Sequence, residues 1–362
     1  MSLQLILHRR WPLDPKLIAA WSDLFRSCPT ATPFQSPAWQ TAWWEQLAGR
    51  RQPLTVLGYE GDDLIGVLPL SMTPGPWRAV RAAGSGVSDY LGSLVLPQFE
   101  DAFAEELAAV LPKILGIDLI DLHQLREGHP LLNAFGGGRK YEQAKCCVLS
   151  LPDSYEEYLG SLSKSLRYDA RSVDRGEYKT GEAKIELTQG AEDIQKGLDT
   201  FFELHHRRWK KRGLPGAFAM RRTRDFHRRF AQLAENESMI RLSLLKLHNK
   251  PVGAIYALRA GQSYYFYQSG FLPEFKSLCP GTVLVAHTIR LAIDEGASTF
   301  DFLRGDEPYK HRWKPQRVLT NYRLLIPSGG ARGSFGRAWN DMAHKVELGI
   351  RKRLEGRGLV KG

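Results

Sequence analysis

The sequence predicts an α/β protein of mixed sheets flanked by helices, built as two copies of one unit in tandem. Three observations predict this. A hairpin, a strand, a helix and a strand follow one another in that order twice. The two hairpins align, Asp63-Leu64-Ile65-Gly66-Val67-Leu68 over Lys250-Pro251-Val252-Gly253-Ala254-Ile255, with Gly66 over Gly253 and a β-branched residue before each. The length, 362 residues, exceeds what one core usually supports, so two domains are expected.

In order, Asp14–Leu24 reads as a helix. Ser36–Leu47 reads as another, with Ser36 as cap, Pro37 in the first position and Trp39, Trp43 and Trp44 at helical spacing. Leu54–Tyr59 and Leu64–Leu70 form a hairpin around Glu60–Asp63. Leu91–Leu96 is expected as a strand, Glu100–Leu115 as a helix and Ile117–Leu122 as a strand. Gly136–Gly138 closes this copy.

Ser154–Arg175 is read as one amphipathic helix with Lys164, Arg167, Arg171 and Arg175 on its exposed face. Helices Ala191–Lys211 and Thr223–Glu235 flank the breaker Gly213–Gly216. The second hairpin, Ile240–Leu247 and Pro251–Leu258, leads to strand Ser263–Gln268, helix Thr282–Asp294 and strand Thr299–Leu303. The expected division is 1–150, 151–330 and a basic helix or tail over 331–362, with Phe335–Leu354 as its helical part.

Composition bounds the function classes. The chain is 43% hydrophobic and 25% charged, without a run of 18 apolar residues, so a conventional membrane-spanning helix is not expected. The N-terminus lacks the order of a secretory signal, and Cys28, Cys146, Cys147 and Cys279 form neither a disulfide framework nor a zinc spacing. A cytoplasmic protein without a metal is the expectation. The net charge of +11 is concentrated: His205–Arg229 holds ten Lys or Arg against Asp225. Arg337–Lys361 adds seven basic against three acidic residues. Such asymmetry favours a polyanionic partner, whether a phosphorylated donor, a nucleotide-linked acceptor, RNA or an anionic membrane.

The most informative stretch is Ser298–Trp313, STFDFLRGDEPYKHRW. A short apolar strand breaks at Arg304-Gly305 into a cluster of ionisable groups, which places them on a rigid strand end open to solvent. Directly before it, the aromatic strand ending at Gln268 leads through Lys276 to Pro280-Gly281-Thr282 and a helix apolar on nearly every face. The N–H groups of Gly281 to Leu284 then suit a phosphate or pyrophosphate, unless Thr282 caps the helix itself.

With these residues in place the chain resembles the GNAT-like acyltransferases, and more closely the CelD-type proteins associated with cellulose or exopolysaccharide biosynthesis. The stretches Phe34–Trp44, Gly84–Val95, Ser161–Arg175 and Pro280–Trp313 carry the resemblance across most of the chain. It implies two fused acyl-CoA N-acyltransferase folds, similar to the Fem peptidyltransferases. The first copy would be degenerate and form the acceptor-side wall, and the second would carry the donor motif. Acetyl-CoA or another acyl-CoA is the implied donor, polysaccharide-synthesis proteins are possible partners, and Fem-type relatives use aminoacyl-tRNA instead. Where GNAT proteins carry Arg/Gln-x-x-Gly-x-Gly/Ala, this chain reads Lys276-Ser277-Leu278-Cys279-Pro280-Gly281-Thr282.

Direct attack of an amine or hydroxyl on a thioester needs a proton acceptor and an oxyanion stabiliser. Candidate catalytic residues are Asp301, Asp306 and Lys310, with Asp301 either facing the cleft or paired to Lys310 or Arg304. Donor contacts fall on Gln268, Lys276, Gly281, Thr282 and Val283. Acceptor contacts fall on Ser88, Asp89, Tyr90, Lys164, Arg167, His205, Trp209, Arg304 and Arg312. A tRNA-dependent transferase and a non-catalytic assembly protein are the competing readings.

Overall fold

The structure, a computed structural model, describes residues 3–114, 116–171, 183–328 and 330–342. The strands are β1 (Leu3–His8), β2 (Gln52–Glu60), β3 (Asp63–Thr73), β4 (Ala79–Ala82), β5 (Leu94–Val95), β6 (Leu119–Arg126), β7 (Arg139–Ser150), β8 (Ala183–Leu187), β9 (Ile240–Leu247), β10 (Lys250–Ala260), β11 (Ser263–Phe271), β12 (Thr299–Arg304) and β13 (Arg317–Pro327). Among the described residues they form one mixed sheet in the order β1-β2-β3-β4-β6-β13-β7-β12-β11-β10-β9-β8, with β5 beside β3.

That order is a repeat turned on itself. In the first half β4 and β6 pair in parallel, and in the second β11 and β12 do. The final strand of each half crosses the middle: β7 pairs with β12, and β13 pairs with β6. A boundary at residue 150 therefore leaves β7 inside the second half's side of the sheet.

Helices α1 (Pro15–Ser27), α2 (Pro37–Gln46), α3 (Glu100–Val110), α4 (Leu131–Ala134), α5 (Tyr155–Ser161), α6 (Lys164–Ala170), α7 (Gly190–Lys210), α8 (Arg221–Leu233), α9 (Pro280–Asp294) and α10 (Pro308–His311) flank the sheet. Their starts follow local chemistry. The side chain of Asp14 accepts from Lys16 N–H at 2.8 Å, and Ser36 accepts from Trp39 N–H at 3.1 Å, each ahead of a proline. The shared hairpin glycines have a common cause. A Cβ on Gly66 would stand 2.8 Å from the Phe103 ring of α3, and one on Gly253 3.1 Å from Leu284 of α9. Each glycine lets the unit's crossover helix lie close on its hairpin.

The sequence reading departs from the structure in several places. The third strand of the first half is β4, whereas Leu91–Leu96 is loop apart from the two residues of β5. The expected single helix Ser154–Arg175 is two, because Leu162 adopts extended backbone and Ser163 caps a new start at Leu166 N–H. Residues 172–175 lie outside the described residues. The C-terminal helix spans 330–342, and the remainder of the expected Phe335–Leu354 segment also lies outside them.

One apolar cluster packs α1, α2, α7 and α8 against both halves of the sheet, while α3 and the group α5, α6 and α9 cover separate clusters built from the alternate residues. The shared cluster is aromatic at its centre. Trp39 of α2 meets Phe226 and Phe230 of α8 edge-on, both at 4.8 Å. His227 of α8 and His205 of α7 flank Phe218 at 5.1 and 4.8 Å. Burial pushes both imidazoles down to about 3.

Close packing of α7 on β11 depends on Gly270, where a Cβ would lie 2.5 Å from the backbone nitrogen of His205. Gly270→Ala is expected to cost about 2 to 3 kcal/mol, read as a lower urea midpoint at unchanged slope. The buried histidines add an acid sensitivity. The unfolded chain binds protons on them from about pH 6.5 downward, and the folded chain only near 3. The unfolded state therefore holds more protons in this window, so stability falls as pH drops through it. His227→Phe is expected to reduce the slope of stability against pH between about 6 and 4 by up to about one proton.

Candidate active site at the split between β11 and β12

Strands β11 and β12 pair over three positions only, Ser263↔Thr299, Tyr264↔Phe300 and Tyr265↔Asp301. Beyond them β12 bulges and turns to β7, where Arg304 faces Cys146. The remainder of β11, Phe266–Phe271, keeps β10 on one side and has no strand on the other. A split with unpaired backbone is the result.

Asp301 sets this bulge. Its Oδ1 accepts from Leu303 N–H at 2.7 Å, holding Leu303 at φ 55°. Its Oδ2 accepts from the Tyr90 hydroxyl of the first half at 2.7 Å and faces Arg126 at 3.7 Å. Asp301 is 2% exposed, and burial outweighs Arg126 and Tyr90 to raise its pKa. The expected partner, Lys310 or Arg304, is thus corrected: Arg126 and Tyr90 take that place. Arg126 also lies over the Tyr90 ring, 4.0 Å from its centroid.

Lys310 is 2% exposed, and its ammonium donates to the carbonyls of Leu303, Arg304 and Gly305 at 3.2, 2.8 and 3.1 Å, with Glu307 3.0 Å away. These bonds satisfy the carbonyls that the bulge removes from the sheet. They leave Lys310 no free donor for an acceptor substrate, so its place is that of a strut. Asp306 differs: its side chain is partly exposed, bonded to His311 Nε2 at 2.5 Å and 3.7 Å from the Lys145 ammonium.

The acceptor-side residues of the first half lie at the seam. Ser88 is buried, accepting from Trp39 Nε1 at 2.8 Å and donating to the Gly84 carbonyl at 2.8 Å. Asp89 pairs with Arg304 and, through its carbonyl, accepts from Asn321 at 2.7 Å. Tyr267 of β11 donates to the Val87 carbonyl at 2.7 Å. The loop 84–93 is therefore joined to both lips of the split.

On the opposite face α9 begins. No side chain caps it, which removes Thr282 from that role. The Val283 N–H is already used by the Cys279 carbonyl at 3.1 Å, a correction to its expected availability. The N–H groups of Gly281 and Thr282 have no acceptor among the described residues. Lys276 is exposed and Gln268 half-buried nearby in the chain. Lys164 and Arg167 sit on α6, whose Leu166 packs in the α9 cluster, and so lie across the sheet from Ser88–Tyr90 rather than in the same cleft. Arg312 pairs with Asp169 of α6 at 3.3 Å.

His205 is buried against β11, and among the described residues neither its Nε2 nor the buried Nε1 of neighbouring Trp209 has a partner. Arg208, between them in sequence, donates to both the carbonyl and the hydroxyl of Ser269 at 3.1 Å and lies over Phe271. Cys147, Asp306 and His311 bring their ligand atoms within 4.8 Å of one another, and are the described residues able to hold a metal. Cys146, beside Asp301, is a buried thiol pushed up to about 12 by burial and that carboxylate.

Sequence reasoning missed Arg126, Arg208 and Asp121. A signal existed for the last. Ile120-Asp121-Leu122 on β6 matches Phe300-Asp301-Phe302 on β12, and each aspartate sits at the third parallel pair of its half, opposite Arg81 and Tyr265 respectively. Asp121 is buried with Arg323 at 2.6 Å, Arg81 at 2.9 Å and His123 at 3.0 Å, and His123 and Arg323 hold its pKa far below the usual carboxylate range despite burial.

Known proteins resemble this arrangement. FemX superposes with a TM-score of 0.65 at 14% identity, over 90% of this chain and 97% of its own. L-PGS from Bacillus licheniformis superposes at 0.55 and 10% identity, over 96% and 98%. The C-terminal domain of a lysylphosphatidylglycerol synthetase from Agrobacterium fabrum does so at 0.55 and 11%, over 89% and 95%. These likenesses concern the fold. A search of curated proteins returns no match. Residues 163–311, which contain the split and the start of α9, match the family model of the GNAT acetyltransferase domain.

Proposed function

We propose that this protein is an acyltransferase that moves an acyl group, in the simplest case acetyl, from acyl-CoA to an amine or hydroxyl by direct attack on the thioester. The observation that carries the reading is the three-residue pairing of β11 and β12 followed by their divergence, within a GNAT acetyltransferase domain match. The donor's pyrophosphate lies at Gly281 and Thr282 with Lys276 alongside, and its thioester enters the split. There the unpaired N–H groups of β11 face the developing oxyanion. The acceptor approaches from the seam side, past Arg304 and the His205 and Trp209 side chains. As the acceptor bonds to the acyl carbon, the C–S bond breaks and a carboxylate takes the acceptor's proton; the departing thiolate then receives a proton from that carboxylic acid or from water, so that CoA leaves as the thiol.

Roles divide by exposure. Asp306, held by His311, is the accessible carboxylate for the proton. Asp301 and Lys310 are positioning residues, because their polar atoms already hold the bulge and its carbonyls. An aminoacyl-tRNA is the competing donor. Its surface would be α7–α8, but Arg207, Arg228 and Arg229 are paired there with Glu274, Asp199 and Glu45.

Calorimetry with CoA and acetyl-CoA is expected to show saturable binding, weakened about tenfold or more in Gly281→Asp through repulsion at the helix start. Absence of binding at millimolar ligand, or unchanged affinity in the variant, would overturn the reading, and salt-dependent tRNA binding in its place would favour the other donor. Lys310→Met is expected to lower stability by about 3 kcal/mol in urea unfolding. Asp306→Asn is expected to leave stability within about 0.5 kcal/mol while lowering kcat about a hundredfold in a free-thiol release assay.

A further inference from the structure

The C-terminal helix is turned inside out. Its sheet-facing positions are Gly333, Gly336 and Asn340, and its outward positions are Phe335, Trp339 and Met342, exposed by 60%, 49% and 52%. An ordinary surface helix places its apolar stripe inward. The reversed orientation is held by specific contacts. A Cβ on Gly333 would lie 2.5 Å from the Asp118 carbonyl oxygen, and one on Gly336 3.0 Å from the Trp77 ring. Asn340 accepts from Arg323 at 2.7 Å and donates to the Gly336 carbonyl at 2.8 Å. Asp341 accepts from Arg139 at 2.6 Å and from the Tyr141 hydroxyl. Rotating the helix to bury its aromatics would drive side chains into the Asp118 backbone just ahead of β6 and into the Trp77 ring, and break these bonds.

Trp77, half-buried under Gly336 and against Ala79, Leu119 and Leu325, supports the stripe from beneath, its ring 5.9 Å from Phe335 and 6.3 Å from Trp339, next to the exposed loop Pro74–Pro76. Cations lie around the stripe: Arg78, Lys140 and Arg332 are exposed, while Arg139 is held by Asp341.

We propose that this aromatic ridge docks the protein on an anionic phospholipid surface, with Phe335, Trp339 and Met342 entering the headgroup–acyl boundary and the exposed Arg78, Lys140 and Arg332 on the lipid phosphates. The chemistry matches an interfacial helix: aromatic and thioether side chains outward, cations around them, and no helix among the described residues long and apolar enough to cross a membrane. Size argues against a second copy as the occupant, because three exposed apolar residues are few against the roughly 20 to 30 residues a side of a stable interface.

The test is co-sedimentation of the full chain with phosphatidylcholine vesicles, with and without about 30% phosphatidylglycerol, beside the double variant F335S/W339S and the single variant R332E. Binding is expected only with phosphatidylglycerol, reduced about tenfold or more in the double variant and severalfold in R332E. Both variants are expected to keep wild-type unfolding curves, because the replaced side chains face outward. Four results would overturn the proposal: no binding to anionic vesicles, equal binding to neutral ones, binding unaltered in F335S/W339S, or a concentration-dependent dimer in sedimentation equilibrium that F335S/W339S abolishes.

Discussion

One carboxylate organises the middle of this molecule. Through Oδ1, Asp301 holds the left-handed turn at Leu303, and that turn takes β12 away from β11. Through Oδ2 it receives the Tyr90 hydroxyl from the other half. Opening the split and joining the halves are consequences of the same side chain. The cost of burying it is offset by Arg126, Tyr90 and a backbone N–H, and Lys310 closes the carbonyls that the turn leaves unpaired.

The two copies have put the same position to different uses. Asp121 occupies the place of Asp301, yet it is surrounded by Arg81, Arg323 and His123 and sits near the C-terminal helix, which Arg323 ties down through Asn340. The first copy's own split is occupied by the chain, since Leu91 N–H reaches the Gln124 carbonyl at 3.1 Å. A duplicated unit has thus kept one open split and filled the other. The filling loop is the one that supplies Ser88, Asp89 and Tyr90 to the second copy.

Legibility in the sequence followed how local the cause was. The order hairpin, strand, helix, strand was readable in the second half because β9 to β12 and α9 are long and bounded by glycines and turns. The buried carboxylate was readable as a candidate, though its partner was not. Arg126 lies 175 positions away in sequence, on a strand placed there by the crossover of β13, and no local pattern announces it. Strand β4 escaped notice because four residues carry no period, and β13 because the register shift at Asn321/Tyr322 changes its alternation midway. Strand β7 begins polar at Arg139 and becomes apolar only from Cys146, where β12 joins its second side.

The crossover of β7 and β13 bears on how the chain is made. Strand β13 lies between β6 and β7, and it leaves the ribosome after every other described strand of the sheet. Until it emerges, β6 has a bare edge on that side and β7 lacks one neighbour, so the centre of the sheet stays open until all the other described strands have been made. The nascent first half therefore waits as an unfinished sheet, exposed to strand addition by other chains. Fragments cut at the apparent repeat boundary inherit the same bare edges, which makes the tandem one cooperative unit rather than two modules on a string.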